Sequence, residues 1–290
     1  MEPSNITEEQ FNAISDGIVE MWKPLAKLHG AELTVEKRWD DPTVNAYAQQ
    51  SGKSWVITMF GGLARRPEVS LDGFALVVCH ELGHHFGGYP FYNGDWAATE
   101  GESDYFATQV CARRIWKKSL RTNARAQDAA PRRLLGICDK NWSTPEDQAL
   151  CTRIAFGGLS LAKLLGALGR DKEPSLDAKD QTIVTQTVPS HPAAQCRLDT
   201  FLHGALCSVN SDLKVIPGKS GEVGHNTIES ELAAGKYSCL QNPEHNVGYR
   251  PRCWFGPLTK TSFRPLLASS LLQDAGMSFH SDHEEQDSWQ

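Results

Sequence analysis

Ser70-Leu71-Asp72-Gly73-Phe74-Ala75-Leu76-Val77-Val78-Cys79-His80-Glu81-Leu82-Gly83-His84-His85-Phe86-Gly87-Gly88 is the stretch from which the rest of the chain can be read. Ser70 has the side chain of an N-cap, and Asp72 suits the positive end of a helix. Gly87-Gly88 followed by Pro90 stops one. The run between them therefore predicts an apolar helix over 71–86. His80 and His84 are four residues apart and share a face of that helix, so both imidazoles reach a single metal ion. Glu81, one residue on, is placed to touch a metal-bound water rather than the metal itself.

Zinc at such a site takes a third protein ligand and keeps its fourth position for water. The next acidic cluster, Glu100-Gly101-Glu102-Ser103-Asp104, falls at the start of a second helix expected over about 97–118. Glu100 and Asp104 are four apart and share a face. This spacing lets Glu100 ligate the metal while Asp104 accepts a hydrogen bond from a ligand imidazole and fixes its tautomer. Glu102 is the rival third ligand, because helix starts shift by a residue or two.

Upstream, Thr7-Glu8-Glu9-Gln10 reads as a capping box. Phe11, Ile14, Ile18, Trp22, Leu25 and Leu28 then recur at helical spacing, with Pro24 a candidate kink and Gly30 a stop. Alternation from Glu32 to Arg38 predicts a strand. Asn45 to Gln49 and Ser54 to Phe60 predict two more, joined by a turn at Ser51-Gly52, and Gly61-Gly62 breaks the run. The expected opening is a helix packed on a small antiparallel sheet. Downstream, helices are expected over about 145–168 and from His191-Pro192 to about Cys207. Past Ser208 the periodicity fades, and 281–290 reads as a solvated tail. Two regions result: a domain over 1–207, and an irregular extension over 208–290 packed on it, polar from about 281.

Composition bounds the function. The 290 residues, 40% hydrophobic with a net charge of −6, suit a globular chain and carry no basic block for nucleic acid. Gly73 to Cys79 and Ile154 to Leu168 are short or interrupted, so no membrane span is expected. Eight cysteines without a C-x-x-C pair point to an oxidising compartment, periplasmic or secreted, with the cytoplasm as the alternative. Met1 to Asn5 has neither a charged n-region nor an apolar stretch, so no signal peptide is read there. Cys196 and Cys207 share one expected helix about 16 Å apart, too far to pair. Cys138 and Cys151 flank a loop and can join. Cys239 and Cys253 can pair locally, or one can reach Cys196 or Cys207 and pin the extension. Cys79 is a buried free thiol unless Cys111 faces it. His29, His85 and His203 have no partner at ligand spacing and read as structural or surface residues; His280 and His283 read as solvated.

Asp41-Pro42-x-x-Asn45-Ala46-Tyr47-Ala48, a strand ending in Gly61-Gly62, H-E-L-G-H, E-x-x-x-D-x-x-A, and a late Ser190-His191-Pro192 with Arg197 together resemble the soluble HtpX-like gluzincin metallopeptidases, relatives of the CAAX prenyl proteases. The likeness covers roughly residues 5–207. It departs from the membrane members in having no expected transmembrane helix and many cysteines, so a prenylated or intramembrane substrate does not carry over. The resemblance implies a zincin-like, mostly helical α+β fold and a zinc endopeptidase acting on protein or peptide substrates. One Zn2+ would be held by His80, His84 and Glu100, with Glu81 as general base and acid. His191 and Arg197 become the candidate oxyanion donors, and His191 alternatively approaches the zinc in a closed state. Asn45, Ala46 and Tyr47 would form either an exposed edge that takes substrate as an added strand or an interior strand. Two further readings stand beside this one: a catalytically silent zinc-binding or assembly module, and a peptidase self-inhibited by its C-terminal segment.

Overall fold

The computed structural model describes residues 6–93, 95–239 and 247–258. Residues 1–5, the tail from about 281, His280 and His283 lie outside the described residues. The fold is α+β: about half of it is helical, and one small mixed sheet sits near the N-terminus.

Helix α1 (Glu8–Leu28) opens with the capping box, Thr7 accepting from the Gln10 amide and Gln10 accepting from the Thr7 amide. Pro24 lies inside it without ending it. Its face of Phe11, Ile18, Trp22 and Leu25 is buried, and it packs on strand β1 (Glu32–Arg38). Strands β2 (Ala46–Ser51) and β3 (Ser54–Phe60) form a hairpin, with Ser51 opposite Ser54 across Gly52-Lys53. Gly52 supplies the positive φ, +58°, that this tight turn needs.

The expected antiparallel sheet is corrected to a mixed one of order β1-β3-β2, with β1 parallel to β3 and only β2 antiparallel to it. The reason lies in the connection over 39–45. It carries the chain across the end of β3, so that β1 and β2 flank β3 on opposite sides. Gly62 donates to the Asp41 carbonyl at 2.9 Å, and Arg65 Nη1 donates to the Trp39 carbonyl at 2.7 Å. A Cβ on Gly61 or Gly62 would collide with the carbonyl oxygens of Trp39 and Pro42. The Asp-Pro and Gly-Gly motifs are thus two halves of one crossing. Among the described residues β2 is a sheet edge rather than an interior strand.

After the short α2 (Gly61–Ala64) comes α3 (Leu71–Phe86), capped by Ser70 through the Gly73 amide. Nearly all of α3 is buried, between β2, β3, α1 and the helices that follow. Phe74, Leu76, Val78 and Leu82 are fully enclosed, and each contributes about 1.5–3 kcal/mol. The second helix begins at Glu100, three residues later than expected. It runs as α4 (Glu100–Phe106), a π-helical turn (Ala107–Cys111) and α5 (Ala112–Trp116). Helices α6 (Leu120–Ala129) and α7 (Arg132–Asn141) follow, and neither is among the expected elements. Helix α8 (Pro145–Gly169) is capped by Thr144. By length and composition it is long and apolar enough to cross a membrane, which departs from the expectation; 78% of its apolar window is buried inside the fold. Helices α9 (Ala194–Leu206) and α10 (Ile228–Ala234) complete the described elements.

All eight cysteines pair: Cys79–Cys111, Cys138–Cys151, Cys196–Cys253 and Cys207–Cys239. This pattern suits an oxidising compartment. Cys79 is not a free thiol, because Cys111 on the π turn faces it. Cys239 and Cys253 do not pair locally but reach back to α9, fastening the region after 207 to the core. That region also fills the core: Trp254 and Phe255 are fully buried, and Trp254 lies so close to Gly101 that a Cβ there would strike its ring.

The Cys196–Cys253 link closes a loop of 57 residues, for which chain entropy gives about 4 kcal/mol. Replacing both cysteines by alanine should lower the urea midpoint by an amount equivalent to about 2–4 kcal/mol, and an unchanged midpoint would contradict this pinning role.

Candidate metal centre

Three helices build the site. α3 supplies His80, Glu81 and His84, α4 supplies Glu100 and Asp104, and α9 supplies Arg197. The first two helices approach closely: a Cβ on Gly83, between the two histidines, would sit 2.7 Å from the Ser103 Cα. Only glycine lets α4 bring its carboxylates level with the imidazoles.

His80, His84 and Glu100 each offer a ligand atom, and these atoms lie within 4.8 Å of one another. His80 Nε2 is 3.2 Å from Glu100 Oε2, and His84 Nε2 is 3.7 Å from Glu100 Oε1. The two imidazole planes stand at 86°, so their Nε2 atoms converge without the rings stacking. Glu100 Oε2 is buried and is met at hydrogen-bond distance only by the imidazole nitrogens of His80 and His191, at 3.2 and 3.1 Å, neither in good hydrogen-bond geometry. A buried carboxylate oxygen left this way costs free energy unless a cation answers it. Two imidazoles and one carboxylate are the donor set of an open zinc site, whose fourth position water takes. The residues therefore fit a divalent ion.

The outer nitrogens of both imidazoles are fixed. His80 Nδ1 donates to Asp104 Oδ1 at 2.8 Å, and His84 Nδ1 donates to the Ala98 carbonyl at 2.8 Å with Ser103 Oγ 3.1 Å away. In the neutral ring each bond keeps the proton on Nδ1 and leaves Nε2 free to ligate a metal. Arg197 closes the network, its Nε 2.6 Å from Asp104 Oδ2 and its Nη2 2.7 Å from Asp104 Oδ1. Arg197 is 3% exposed. Its Nε and Nη2 are engaged with Asp104, so it holds the residue that holds His80.

The other expected residues are placed as follows. His191 stands on the loop before α9, its side chain 69% exposed, with Nε2 3.1 Å from Glu100 Oε2. Glu102 faces away and lies 2.7 Å from Arg250 Nε in a buried ion pair, which excludes it as the third ligand. Asn45 is exposed, and Ala46 and Tyr47 are half-buried on the edge strand packed against α3. His85 is buried between Trp55 and Trp96, and His203 Nδ1 donates to the Tyr249 carbonyl. A second acidic and sulfur cluster, Asp180 with Cys196 and Cys253, offers no thiolate because its cysteines are joined.

Tyr92 escaped sequence reasoning. Its hydroxyl donates to Glu100 Oε1 at 3.0 Å, from a Gly-Gly-Tyr-Pro-Phe-Tyr stretch whose glycines and proline read only as a helix stop. No pattern in the sequence marks it, since a lone tyrosine in a loop carries no periodicity. Ala98 escaped for a plainer reason: it acts through its backbone carbonyl.

The electrostatics favour a cation. Burial alone would lower the pKa of His80, but Asp104 and Glu100 raise it to about 10: the two carboxylates draw a positive charge to this ring, which a bound metal would supply in place of the second proton. Burial lowers His84 to about 4, with His80 adding to the shift. Burial would raise Glu100, yet His80, His84 and Arg197 hold it well below the usual carboxylate range. Glu81 behaves differently: burial lifts it to about 7, against the opposing pull of His80. A carboxyl balanced near neutrality can both take and give a proton. The Tyr92 phenol is raised by burial and by Glu100, so it stays a donor.

No protein-family model, no curated protein and no solved structure matches the chain.

Glu100→Ala should abolish stoichiometric zinc binding in equilibrium dialysis, while Glu102→Gln should retain it. Arg197→Gln should weaken zinc by about 10- to 100-fold, the usual effect of loosening a group that orients a ligand. Full occupancy in Glu100→Ala, or an unchanged affinity in Arg197→Gln, would contradict the assignment.

Proposed function

We propose that the chain is a zinc-dependent endopeptidase of the HtpX-like gluzincin kind, working in the periplasm or as a secreted protein. One observation carries this reading. Glu81, a buried carboxyl, sits in the helical turn between two converging imidazoles, and a site that only held a metal would have no use for it.

A zinc ion bound by His80, His84 and Glu100 would polarise a peptide carbonyl and lower the pKa of a bound water to about 7. Glu81 would accept a proton from the attacking water and return it to the leaving amine. Asp104 and the Ala98 carbonyl keep the two imidazoles in the tautomer that presents Nε2. Tyr92 and His191, the donors at the solvent side of Glu100, are the groups placed to stabilise the developing oxyanion, the former as a phenol that stays protonated. The β2 edge offers main-chain hydrogen bonds to an extended peptide, with Asn45, Ala46 and Tyr47 along it. Such bonding discriminates little between sequences, and the substrate class is therefore protein or peptide.

Glu81→Gln should keep one zinc per chain and the wild-type circular dichroism while losing casein hydrolysis by at least about 100-fold. Comparable turnover in zinc-loaded Glu81→Gln would overturn the mechanism, and a zinc-loaded wild type without hydrolysis would overturn the proposal.

A further inference from the structure

His85, the third histidine of the motif, takes no part in the metal site. Its ring is stacked between Trp55, 5.2 Å away at 7°, and Trp96, 5.1 Å away at 19°. Gln50 of β2 meets its Nδ1 at 3.0 Å. Trp55, Trp96 and Gln50 are also one wall of a cleft of about 900 Å³. The wall is thus braced by the residue that follows His84, and it lies at the hairpin end of the β2 edge.

The lining of the cleft also carries Lys53, Lys214 and Lys219, against one acid, the exposed Glu222. This concentrates positive charge on a chain whose net charge is −6. Among the described residues none of the three lysines is ion-paired with a carboxylate. Lys219 is half-buried, with its amine 5.5 Å from the centre of the Trp55 ring, and burial lowers its pKa. His29 at the rim is lowered by burial and by Lys219, so it adds no charge near neutrality. A partly desolvated ammonium without a counter-ion favours an anionic ligand.

Gln50 connects the cleft to the edge strand. At about 3.3 Å per residue, the three residues from Tyr47 to Gln50 span about 10 Å. An extended peptide hydrogen-bonded along β2, the edge strand packed on the helix that carries His80 and His84, would run into the cleft at Gln50. We infer that the cleft is a subsite for acidic side chains on one flank of a peptide substrate, giving an otherwise sequence-tolerant edge a preference for acidic segments. This rests on the peptidase reading and names the substrate class of the same site.

The test reads binding without turnover. Zinc-loaded Glu81→Gln protein is titrated, by fluorescence anisotropy, into labelled peptides that share one core and differ only in flanking blocks of three glutamates, three serines or three lysines. The glutamate peptide should bind about tenfold more tightly than the serine peptide at low salt, and the advantage should vanish at high salt. Lys53→Glu with Lys214→Glu, two exposed positions, should remove it as well, and Lys219→Gln should reduce it in protein of unchanged circular dichroism. Equal affinity for the three peptides overturns the subsite. So does a preference untouched by the lysine variants, or displacement of the glutamate peptide by a neutral oligosaccharide or an oligonucleotide at lower concentration than by unlabelled peptide. Loss of the peptidase reading shows separately, as zinc-loaded wild type that cleaves none of the three peptides.

Discussion

The Asp104 carboxylate, wholly buried, is the point on which the rest depends. It accepts from His80 on one helix and from Arg197 on another, through one short bond to the imidazole and two to the guanidinium. Arg197 and His80 hold its pKa down against burial, which acts to raise it. A buried ion pair is weak evidence for stability, but leaving one partner alone costs about 3–5 kcal/mol. The pair therefore fixes how α3, α4 and α9 meet more than it strengthens the fold. With those helices fixed, the two Nε2 atoms and the Glu100 carboxylate have one relative placement.

Close packing makes that placement rigid. Gly83 lets α4 lie against α3, and Gly101 leaves room for Trp254 on the far side of α4. Cys79–Cys111 ties the residue before His80 to the π turn. Glu102, turned away from the two imidazoles, answers Arg250 inside the core, where burial moves its pKa up to about 8 against the pull of that arginine. The single acidic cluster 100–104 thus serves both sides of one helix. Glu100 and Asp104 face the imidazoles, while Glu102 faces the C-terminal region.

Legibility followed the strength of local rules. The helix over 71–86, its Ser70 cap and the pairing of Glu100 with Asp104 rest on i, i+4 geometry and on caps, which are local, and they were readable. The sheet order was not, because the crossing over 39–45 depends on a collision between Gly61-Gly62 and carbonyls twenty residues earlier. Helix α6 buries only Asn123, so no apolar stripe announced it, whereas α7 carries Leu134, Ile137 and Cys138 at helical spacing and was legible but passed over. Motif order pointed to Arg197, which lies 4.0 Å from Glu100 at the candidate site. Its partner was a matter of three-dimensional contact, and spacing could not tell a group that faces the substrate from one that faces Asp104. The disulfides divided in the same way: the short Cys138–Cys151 loop was legible, and the two that reach α9 were left as alternatives.

The most direct measurement is X-ray absorption at the zinc edge on protein loaded with one equivalent of metal. The account predicts four light-atom ligands, two of them imidazoles, with zinc–nitrogen and zinc–oxygen distances of about 2.0–2.2 Å and no sulfur. A shell at about 2.3 Å, the zinc–sulfur distance, or a spectrum with fewer than two imidazoles, would contradict the centre formed by His80, His84 and Glu100.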